Sequence, residues 1–292
     1  MSSHSSERKF RENEKLLRRC ASLEEAKRLV RSIVISPSES SDVLENVGSG
    51  PLAIYRLQNL GEAVFYIPGF LKHKEVCVLM KEILNSMIDS PPHSNSLISQ
   101  ESAHLWTDFM KPSKKPPLLS KLRWSCVGYH YDWGERSYDP TKKSAFPSSL
   151  TRYYREVLRA INEAGQHSHK GVPESAIINF YHSSRQSDRL GGHRDDVESV
   201  DSSPLVSISL GLKGIFLIEN EAIVLNSGDV LVMASDARRS LHGVPSVFPG
   251  KTIHCRKDTV LAEESESDED ALIQRFLEAT RVSISIRQVF SD

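Results

Sequence analysis

Apolar residues recur at intervals of three and four along the first 34 residues, between polar and charged positions. The members of this pattern are Leu16, Leu17, Cys20, Leu23, Ala26, Leu29 and Val30. The period is that of an amphipathic helix, and Ser22 followed by Glu25 has the spacing of a capping box that would start a second helix. We therefore predict that residues 1–60 form an N-terminal helical extension. We expect this extension to pack against the rest of the protein. Contact with nucleic acid is the alternative, because the extension is rich in basic residues.

The next part of the chain mixes short strands with longer helices. Residues 61–71 are typical of a strand followed by a turn, and residues 72–87 have the period of a helix. An aromatic-rich stretch follows at residues 118–133, and residues 147–164 are again typical of a helix. We take residues 61–175 as a largely helical part that precedes the core.

Beyond residue 175 the hydrophobic runs become short. Each run has four to nine residues, many of them β-branched, and ends at turn residues, which is typical of strands. The predicted strands are Ala176–Tyr181, Leu205–Leu210, Gly214–Glu219, Ala222–Leu225, Asp229–Ala234 and Arg281–Val289. They predict an α+β fold whose core, over residues 176–292, is a β-sandwich or a double-stranded β-helix (jelly roll), with the N-terminal helices packed on one sheet. An acidic insert at residues 250–280 should be a solvated loop followed by one helix.

The composition sets limits on function without naming one. The chain has 292 residues and a formal net charge of −1, so any attraction to nucleic acid must be local. Its four cysteines form no CxxC pair, which argues against a zinc ribbon or a disulfide framework and favours a reducing compartment. No apolar run approaches the length of a membrane span (about 18 residues), and the N-terminus lacks an apolar signal core. We expect no membrane association and a location in cytoplasm or nucleus, with the mitochondrion left open.

Two histidines and one aspartate form the first candidate site. Side chains two residues apart on a strand point to the same side, about 7 Å apart, so His193 and Asp195 share a face if the backbone there is extended. His242 follows a later predicted strand and would join them from a neighbouring strand. Two histidines and one carboxylate on one face of a metal are typical of iron(II) oxygenases and leave positions open for co-substrate and oxygen. On spacing alone the signal is modest, because this pattern is common by chance.

The last predicted strand supports the site through the same alternation. In Arg281–Arg287 the apolar side chains share one face, and the two arginines share the other with Ser283 and Ser285. Guanidinium groups on an inward face are costly unless they pair with anions, and they bind carboxylates through two parallel hydrogen bonds. This face therefore predicts a dicarboxylate ligand, and Asn179 and Tyr181 offer an amide and a phenol to the same pocket. An edge strand with both arginines in water is the alternative.

The order of these motifs resembles that of AlkB-type iron(II)/2-oxoglutarate dioxygenases. The matching segments are Asn179–Tyr181, Gly192–Asp195, Val206–Gly211, Ser227–Met233, Ser240–Pro245 and Arg281–Gln288. Residues 122–131 and 281–289 are similar to the homologue-1 branch, and the resemblance spans residues 61–290. It implies a dioxygenase domain over residues 61–292, with a substrate-side lid within residues 61–175. It also implies iron(II), 2-oxoglutarate and oxygen as cofactor and co-substrates.

The resemblance further implies a role for each matching residue. The metal-binding and catalytic residues would be His193, Asp195 and His242; the co-substrate residues Asn179, Tyr181, Arg281, Ser283 and Arg287; and the substrate-side residues Trp106, Tyr129, His130, Tyr131 and Glu198. Arg281 would hold the distal carboxylate of 2-oxoglutarate with Tyr181 and Asn179. Arg287 would lie nearer the metal, beside the 1-carboxylate and Asp195. For the substrate-side aromatic residues, ordinary packing is the alternative.

Two positions depart from the family's pattern. Ser283 stands where the family usually has asparagine, which shortens one contact to 2-oxoglutarate or replaces it by water. Val197 stands where bacterial repair enzymes carry an acidic residue that recognises the exocyclic amine of a methylated base, and Asp196 and Glu198 flank it. These departures weaken the case for direct repair of alkylated adenine and cytosine.

The preferred hypothesis is an oxidative demethylase or hydroxylase that acts on N-methylated bases in tRNA or DNA. The same iron chemistry on a methylated histone or another protein is the first alternative. A nucleic-acid-binding module is a second, and a metal-independent lyase at abasic DNA, using the amine of Lys111, Lys114 or Lys115, is a third. We expect a monomer.

Overall fold

Helices and strands make up much of the part of the chain that the structure describes. In the computed structural model this part comprises residues 3–30, 33–34, 43–48, 50–89, 94–97, 104–111, 117–165, 168–185, 187–200, 203–249 and 267–290. Its helices are α1 (Ser3–Leu17), α2 (Leu23–Leu29), α3 (His73–Glu82), α4 (Leu105–Met110), α5 (Ser148–Gly165) and α6 (Asp268–Ala279). Among these residues, no helix combines the length and the apolar character needed to cross a membrane.

The strands form two sheets. The smaller sheet contains β1 (Ile33–Val34), β9 (Leu190–His193), β11 (Gly214–Ile218), β12 (Glu221–Leu225) and β14 (His242–Val247), in the order β1-β12-β11-β14-β9. The larger sheet contains β2 (Leu44–Asn46), β3 (Tyr55–Leu57), β4 (Val64–Ile67), β5 (Ser94–Asn95), β6 (Trp124–Asp132), β7 (Ser137–Lys143), β8 (Ser175–His182), β10 (Leu205–Gly211), β13 (Val230–Met233) and β15 (Thr280–Arg287). Its order is β2-β3-β4-β13-β10-β15-β8-β6-β5, and β7 pairs with β6.

The two sheets pack face to face, and each is covered by helices on its outer side. Tyr181 and Leu231 of the larger sheet share one apolar cluster with Phe216 and Ile218 of the smaller sheet. The alternate side chains of β15, such as Ile284, point the other way and join a second cluster with residues of α3, α5 and α6. This alternation follows from the period of two along a strand, and it confirms the predicted jelly-roll fold.

The N-terminal helices pack on the smaller sheet. Phe10, Leu17 and Ala26 are fully buried against strand residues that include Ile215 and Leu217. The amphipathic pattern of the first 30 residues therefore marks a real packing face. The predicted cap is also present, since the Ser22 side chain accepts a hydrogen bond from the backbone of Glu25 at the start of α2.

The structure differs from the predicted elements where patterns are short. Strands β2 and β3 lie within residues 1–60 and extend the larger sheet, so the N-terminal extension is not wholly helical. Strand β9 was not predicted, because its sequence Leu-Gly-Gly-His carries no hydrophobic period. The predicted helix at residues 72–87 ends at Glu82 and continues as a π-type turn to Met87. Most of the acidic insert, residues 250–266, lies outside the described residues, whereas the helix predicted after it is α6.

Candidate active site

The two histidines lie side by side on neighbouring strands of the smaller sheet. His193 ends β9 and His242 begins β14, and the two residues are direct partners in the antiparallel pairing. Their ring centroids are 4.4 Å apart. Residues 49 positions apart in sequence thus meet because the strands pair in this register.

Asp195 completes a three-sided cluster. Its Oδ1 lies 3.5 Å from Nε2 of His193, and its Oδ2 lies 3.9 Å from Nε2 of His242. One ligand atom from each of the three residues lies within 4.8 Å of the others. The structure therefore brings together the three residues that the sequence analysis proposed as metal ligands.

Backbone carbonyls orient both histidine rings for metal binding. Nδ1 of His193 lies 2.9 Å from the carbonyl oxygen of Gly191, and Nδ1 of His242 lies 2.9 Å from that of Ser240. A carbonyl oxygen can only accept, so each Nδ1 donates, and in the neutral ring Nε2 keeps its lone pair. Both lone pairs belong to the nitrogens nearest Asp195, which is the arrangement that a metal with two histidine ligands requires.

Electrostatics favour the metal-binding protonation state of Asp195 and His242. Burial alone would lower the pKa of His193, but its hydrogen bond to Asp195 outweighs burial and raises that pKa above its ordinary value. Burial, followed by the neighbouring His193, lowers the pKa of His242 to about 4. Burial alone would raise the pKa of Asp195, but Arg287 and both histidines outweigh it and hold that pKa well below its ordinary value. A neutral imidazole and an ionised carboxylate are therefore available at neutral pH, and the donor set fits iron(II).

Two arginines and one further carboxylate, that of Glu198, are buried behind this cluster. Arg287 Nη1 lies 3.1 Å from Asp195 Oδ2 and 2.8 Å from Glu198 Oε1. Arg238 Nη2 lies 3.4 Å from Glu198 Oε2, and its Nη1 lies 3.7 Å from Asp195 Oδ2. The position expected for Arg287, beside Asp195, is the one observed. Glu198, whose side chain is 1% exposed, faces the arginines, so the structure does not bring it to the substrate side.

Arg281 is a buried cation in a different setting. It is 1% exposed, and no acidic side chain of the described residues forms an ion pair with it. Nη1 donates to the carbonyls of Leu212 and Leu225, at 3.1 and 3.2 Å, and Nη2 donates to Ser209 Oγ at 2.9 Å. Burial lowers its pKa to about 10. An unpaired buried charge is costly, so this position calls for an anion.

Two buried donors at this position have no hydrogen-bond partner among the described residues. They are Nε of Arg281 and the hydroxyl of Tyr181, which is opposite Arg281 on β8. Asn179 and Ser283 form the next pair along the same two strands, and both line the central cavity. Orphaned donors beside a buried cation fit one carboxylate of a bound dicarboxylate, as the alternation of side chains predicted.

A cavity of about 320 Å³ is lined by the metal cluster and by Asn179 and Ser283. These two residues form the strand pair next to Tyr181 and Arg281, which do not themselves line the cavity. Its residues divide into the metal cluster, a polar floor and an aromatic mouth, and they include His193, Asp195, His242, Asn179, Ser283, Tyr131, Trp133 and Arg136. Such a volume is at the lower end of the range for small-molecule sites. It accommodates a small dicarboxylate and leaves the mouth open to a second substrate.

The predicted substrate-side residues are not all at this cavity. Tyr131 lines it. Trp106 is 1% exposed in α4, stacked on Phe109, so the structure supports packing for it. Tyr129 lies under Lys143 Nζ, and His130 Nε2 lies 3.0 Å from a serine hydroxyl.

Some cavity residues were not singled out in the sequence. Trp133 and Arg136 follow Tyr131 in the turn between β6 and β7 and line the mouth. The signal for Trp133 was present in the aromatic-rich stretch at residues 118–133, whereas Arg136 carried none. Arg238, which was also not singled out in the sequence, lies in a short 3-10 turn before β14 and contacts Asp195 and Glu198 rather than the cavity.

Comparisons with known proteins agree with this geometry. Residues 63–287 match the 2OG-Fe(II) oxygenase superfamily. The chain is 31% identical to "DNA N(6)-methyladenine demethylase ALKBH1A" of Arabidopsis thaliana, across 77% of this chain and 75% of that protein. It is 28% identical to "Nucleic acid dioxygenase ALKBH1" of Mus musculus, across 85% and 70%. It is 37% identical to "tRNA demethylase abh1" of Schizosaccharomyces pombe, across 45% and 44%.

A solved structure has the same fold. "The structure of OsALKBH1" aligns with 77% of this chain and 96% of that chain, with a TM-score of 0.50 and 20% sequence identity. The similarity concerns the fold.

Proposed function

The chain belongs to the 2OG-Fe(II) oxygenase superfamily, and on this premise we propose that it is an oxidative demethylase of N-methylated bases in tRNA or DNA. The observation that carries the proposal is the combination of a metal cluster and a buried cation near one cavity. The cluster of His193, Asp195 and His242 lines the cavity together with Asn179 and Ser283. Arg281 and Tyr181 form the neighbouring strand pair, and the Tyr181 hydroxyl has no hydrogen-bond partner among the described residues. A metal and a dicarboxylate are the ligands that these two sites fit.

Each residue of the site has a distinct task. His193, Asp195 and His242 would hold iron(II), and the carbonyls of Gly191 and Ser240 keep the rings oriented. Arg281 and Tyr181 would bind the distal carboxylate of 2-oxoglutarate. Iron(II) and 2-oxoglutarate, when bound, let one atom of O2 enter a substrate C–H bond while the other oxidises 2-oxoglutarate to succinate and CO2. On an N-methyl group the hydroxymethyl product loses formaldehyde and leaves N–H.

The mouth of the cavity favours a nucleobase as the oxidised group. Tyr131 and Trp133 lie edge to face with ring centroids 4.8 Å apart, and Trp133 is 48% exposed. Exposed rings beside a catalytic cavity suit stacking on an extruded base. Arg136 adds a positive charge at the same edge, where a phosphate would follow the base. Relatives whose names refer to DNA and tRNA demethylation support the same substrate class.

The proposed reaction can be tested with methylated nucleic acids and methylated histone peptides. The purified chain is incubated with N-methylated tRNA, methylated single-stranded DNA and methylated histone peptides, each with iron(II) and 2-oxoglutarate. We expect loss of methyl groups and release of formaldehyde from one nucleic acid, and loss of at least 100-fold in His193→Ala. His104→Ala is the matched control, because that histidine side chain is 74% exposed outside the cavity.

The alternatives separate in the same assay. Demethylation of histone peptides alone would contradict nucleic acid as the substrate class. It would still support dioxygenase activity. Cleavage of abasic DNA that survives in His193→Ala would point to the lyase. Of its candidate lysines, Lys111 forms an ion pair with Asp108 at the end of α4, and Lys114 and Lys115 lie outside the described residues. Location in cytoplasm or nucleus and a monomeric state stay predictions, which imaging and size-exclusion chromatography would test.

A further inference from the structure

The first helix lies directly behind the strand that carries a metal ligand. Helix α1 covers the outer face of the smaller sheet, with Phe10 and Leu17 fully buried. It precedes residues 63–287, the segment that matches the family. Its contacts with the sheet are therefore a property of this chain that the family match does not describe.

Strand β9 is weakly held by the sheet alone. It is the edge strand next to β14, and it pairs at His193 and Leu190 with an irregularity between them. An edge strand exposes backbone donors and acceptors that need partners. At Gly192 both partners come from α1, because the Gly192 N–H donates to Glu14 Oε1 at 2.8 Å and its carbonyl accepts from Arg11 Nη1 at 3.1 Å.

The peptide group that Glu14 binds is the one that orients His193. The N–H of Gly192 and the carbonyl of Gly191 belong to the same peptide unit, and that carbonyl accepts the hydrogen bond from His193 Nδ1 at 2.9 Å. A continuous chain thus runs from the Glu14 carboxylate through one peptide to a ligand imidazole. Hydrogen bonds in such a chain polarise and strengthen one another, and ligand histidines are commonly oriented in this way by a carboxylate or a carbonyl.

Helix α1 holds this carboxylate firmly in place. The Glu14 side chain is 8% exposed, and it forms ion pairs with Arg18 at 2.6 Å and Arg11 at 3.2 Å. The ring of Phe10 lies so close to Gly192 that a Cβ on that residue would overlap it. Glycine at this position therefore allows the helix to approach the strand backbone.

The second ligand strand is tied to the same helix. Ser246 of β14 donates a hydrogen bond to the carbonyl of Leu17. Ser6 donates to Glu219, whose other oxygen accepts from the backbone of Leu241, the residue before His242. Both histidine ligands are thus connected to α1. For His193 a side chain of α1 binds the orienting peptide directly, whereas for His242 the side chain of Glu219 lies between α1 and the peptide of Ser240 and Leu241.

We propose that Glu14 is a positioning residue for the metal ligand His193, acting through the peptide between Gly191 and Gly192. The proposal rests on the assignment of the metal site above. It gives the N-terminal helix a function in metal binding that its amphipathic sequence did not indicate.

The test measures metal affinity without turnover. Mn(II) alone is titrated into the metal-free full-length chain, and free Mn(II) is followed by electron paramagnetic resonance. We expect Glu14→Ala to raise the Kd for Mn(II) about tenfold, the lower end of the effect of removing a group that orients a metal ligand. Glu12→Ala is the matched control, because Glu12 lies on the same helix, is 60% exposed and pairs only with Arg8 among the ion pairs of the described residues.

Two more variants separate positioning from general destabilisation. Glu14→Gln keeps an oxygen that can accept from Gly192, so we expect it to recover most of the affinity. Leu17→Ala removes buried packing from the same helix and should lower the melting temperature while the Kd stays within about twofold of wild type. If Glu14→Ala does not fold, Glu14→Gln and a Glu14→Leu variant replace it in the comparison.

The outcomes bear on different claims. A Kd for Glu14→Ala within twofold of wild type, or an equal loss in Leu17→Ala, would overturn the positioning role. A wild-type chain that binds Mn(II) no better than His193→Ala would overturn the metal site itself, and with it the proposed function.

Discussion

At the residue scale, two arginines on one strand have opposite environments. Arg287 and Arg281 both point inward from β15, as the alternation of side chains predicted. Burial opposes the charge of Arg287, but Asp195 and Glu198 outweigh it and raise its pKa above the ordinary value. Within the described part of the chain no acidic side chain pairs with Arg281, and burial lowers its pKa to about 10. The difference marks Arg281 as the residue that requires a bound anion.

Ser283 offers a prediction next to that anion site. It lines the cavity opposite Asn179, where the family resemblance implies asparagine. We expect Ser283→Asn to lower the Kd for 2-oxoglutarate about two- to tenfold, because one added hydrogen bond contributes about 0.5–1.5 kcal/mol. Isothermal titration calorimetry with Mn(II) in place of iron(II) measures the change.

The control for this substitution lies on the same strand. Ser285→Asn adds an equal amide to the cavity two residues further from Arg281, so it should not improve binding. Unchanged or weaker affinity in Ser283→Asn would show that the serine is not a missing contact.

At the element scale, an acidic segment that looked like solvated surface docks a helix. Glu269, in the first turn of α6, lies 2.7 Å from Lys81 Nζ of α3. It also accepts hydrogen bonds from Asn85 and from the indole N–H of Trp106, at 2.9 and 3.1 Å. Trp106 of α4 therefore lies at the junction of α3 and α6, where its ring has a packing role.

This junction predicts a pH dependence of stability. The hydrogen bonds from Lys81 and Asn85 lower the pKa of Glu269 to about 2, from an ordinary value of 4.5. A depressed pKa contributes stability that is present above pH 4.5 and is lost as the pH falls toward 2. We expect Glu269→Gln to be less stable than wild type by about 1 kcal/mol at pH 7, the scale of an exposed ion pair.

Urea unfolding at a series of pH values measures this effect. The difference in the free energy of unfolding between wild type and Glu269→Gln should decrease below pH 4.5 and vanish near pH 2. Glu278→Gln, an exposed change near the end of the same helix, serves as the control. If this difference in the free energy of unfolding does not change with pH, the charge of Glu269 does not contribute to stability.

At the scale of the whole molecule, the charge is balanced overall and concentrated locally. The net charge of −1 provides no general attraction to a phosphate backbone. Arg136 and Arg194 nevertheless lie at the cavity, beside exposed Trp133. Binding of nucleic acid should therefore depend on a few contacts at the mouth and show a shallow dependence on salt.

Arg136 allows a test of that expectation. We expect Arg136→Gln to weaken binding of a single-stranded methylated oligonucleotide several-fold and to reduce the slope of log K against log salt concentration by about 1. Fluorescence anisotropy at several salt concentrations measures both. Arg8→Gln, which removes an 82% exposed arginine from α1, is the control. An unchanged slope would remove Arg136 from the nucleic-acid interface.

The sequence by itself determined the local patterns. Alternation along a strand is set by neighbouring residues, so the inward faces of Arg281–Arg287 and of Asn179–Tyr181 were predictable. The closeness of His193 and Asp195 was also expected, although β9 ends at His193 and Asp195 lies beyond the strand. The same holds for the period of the N-terminal helices and the cap of α2. The order of the motifs along the chain then indicated the family, because that order can be read from the sequence without a structure.

Only the tertiary structure decided which distant groups meet. It placed Glu198 behind the metal site and Trp106 in a helix junction, although both had been expected on the substrate side. It also brought Glu14 to Gly192, 178 residues away. Such contacts depend on strand register and on how a helix lies across a sheet, which are long-range properties. No local pattern in Leu-Gly-Gly-His could have shown that an N-terminal carboxylate would bind its backbone.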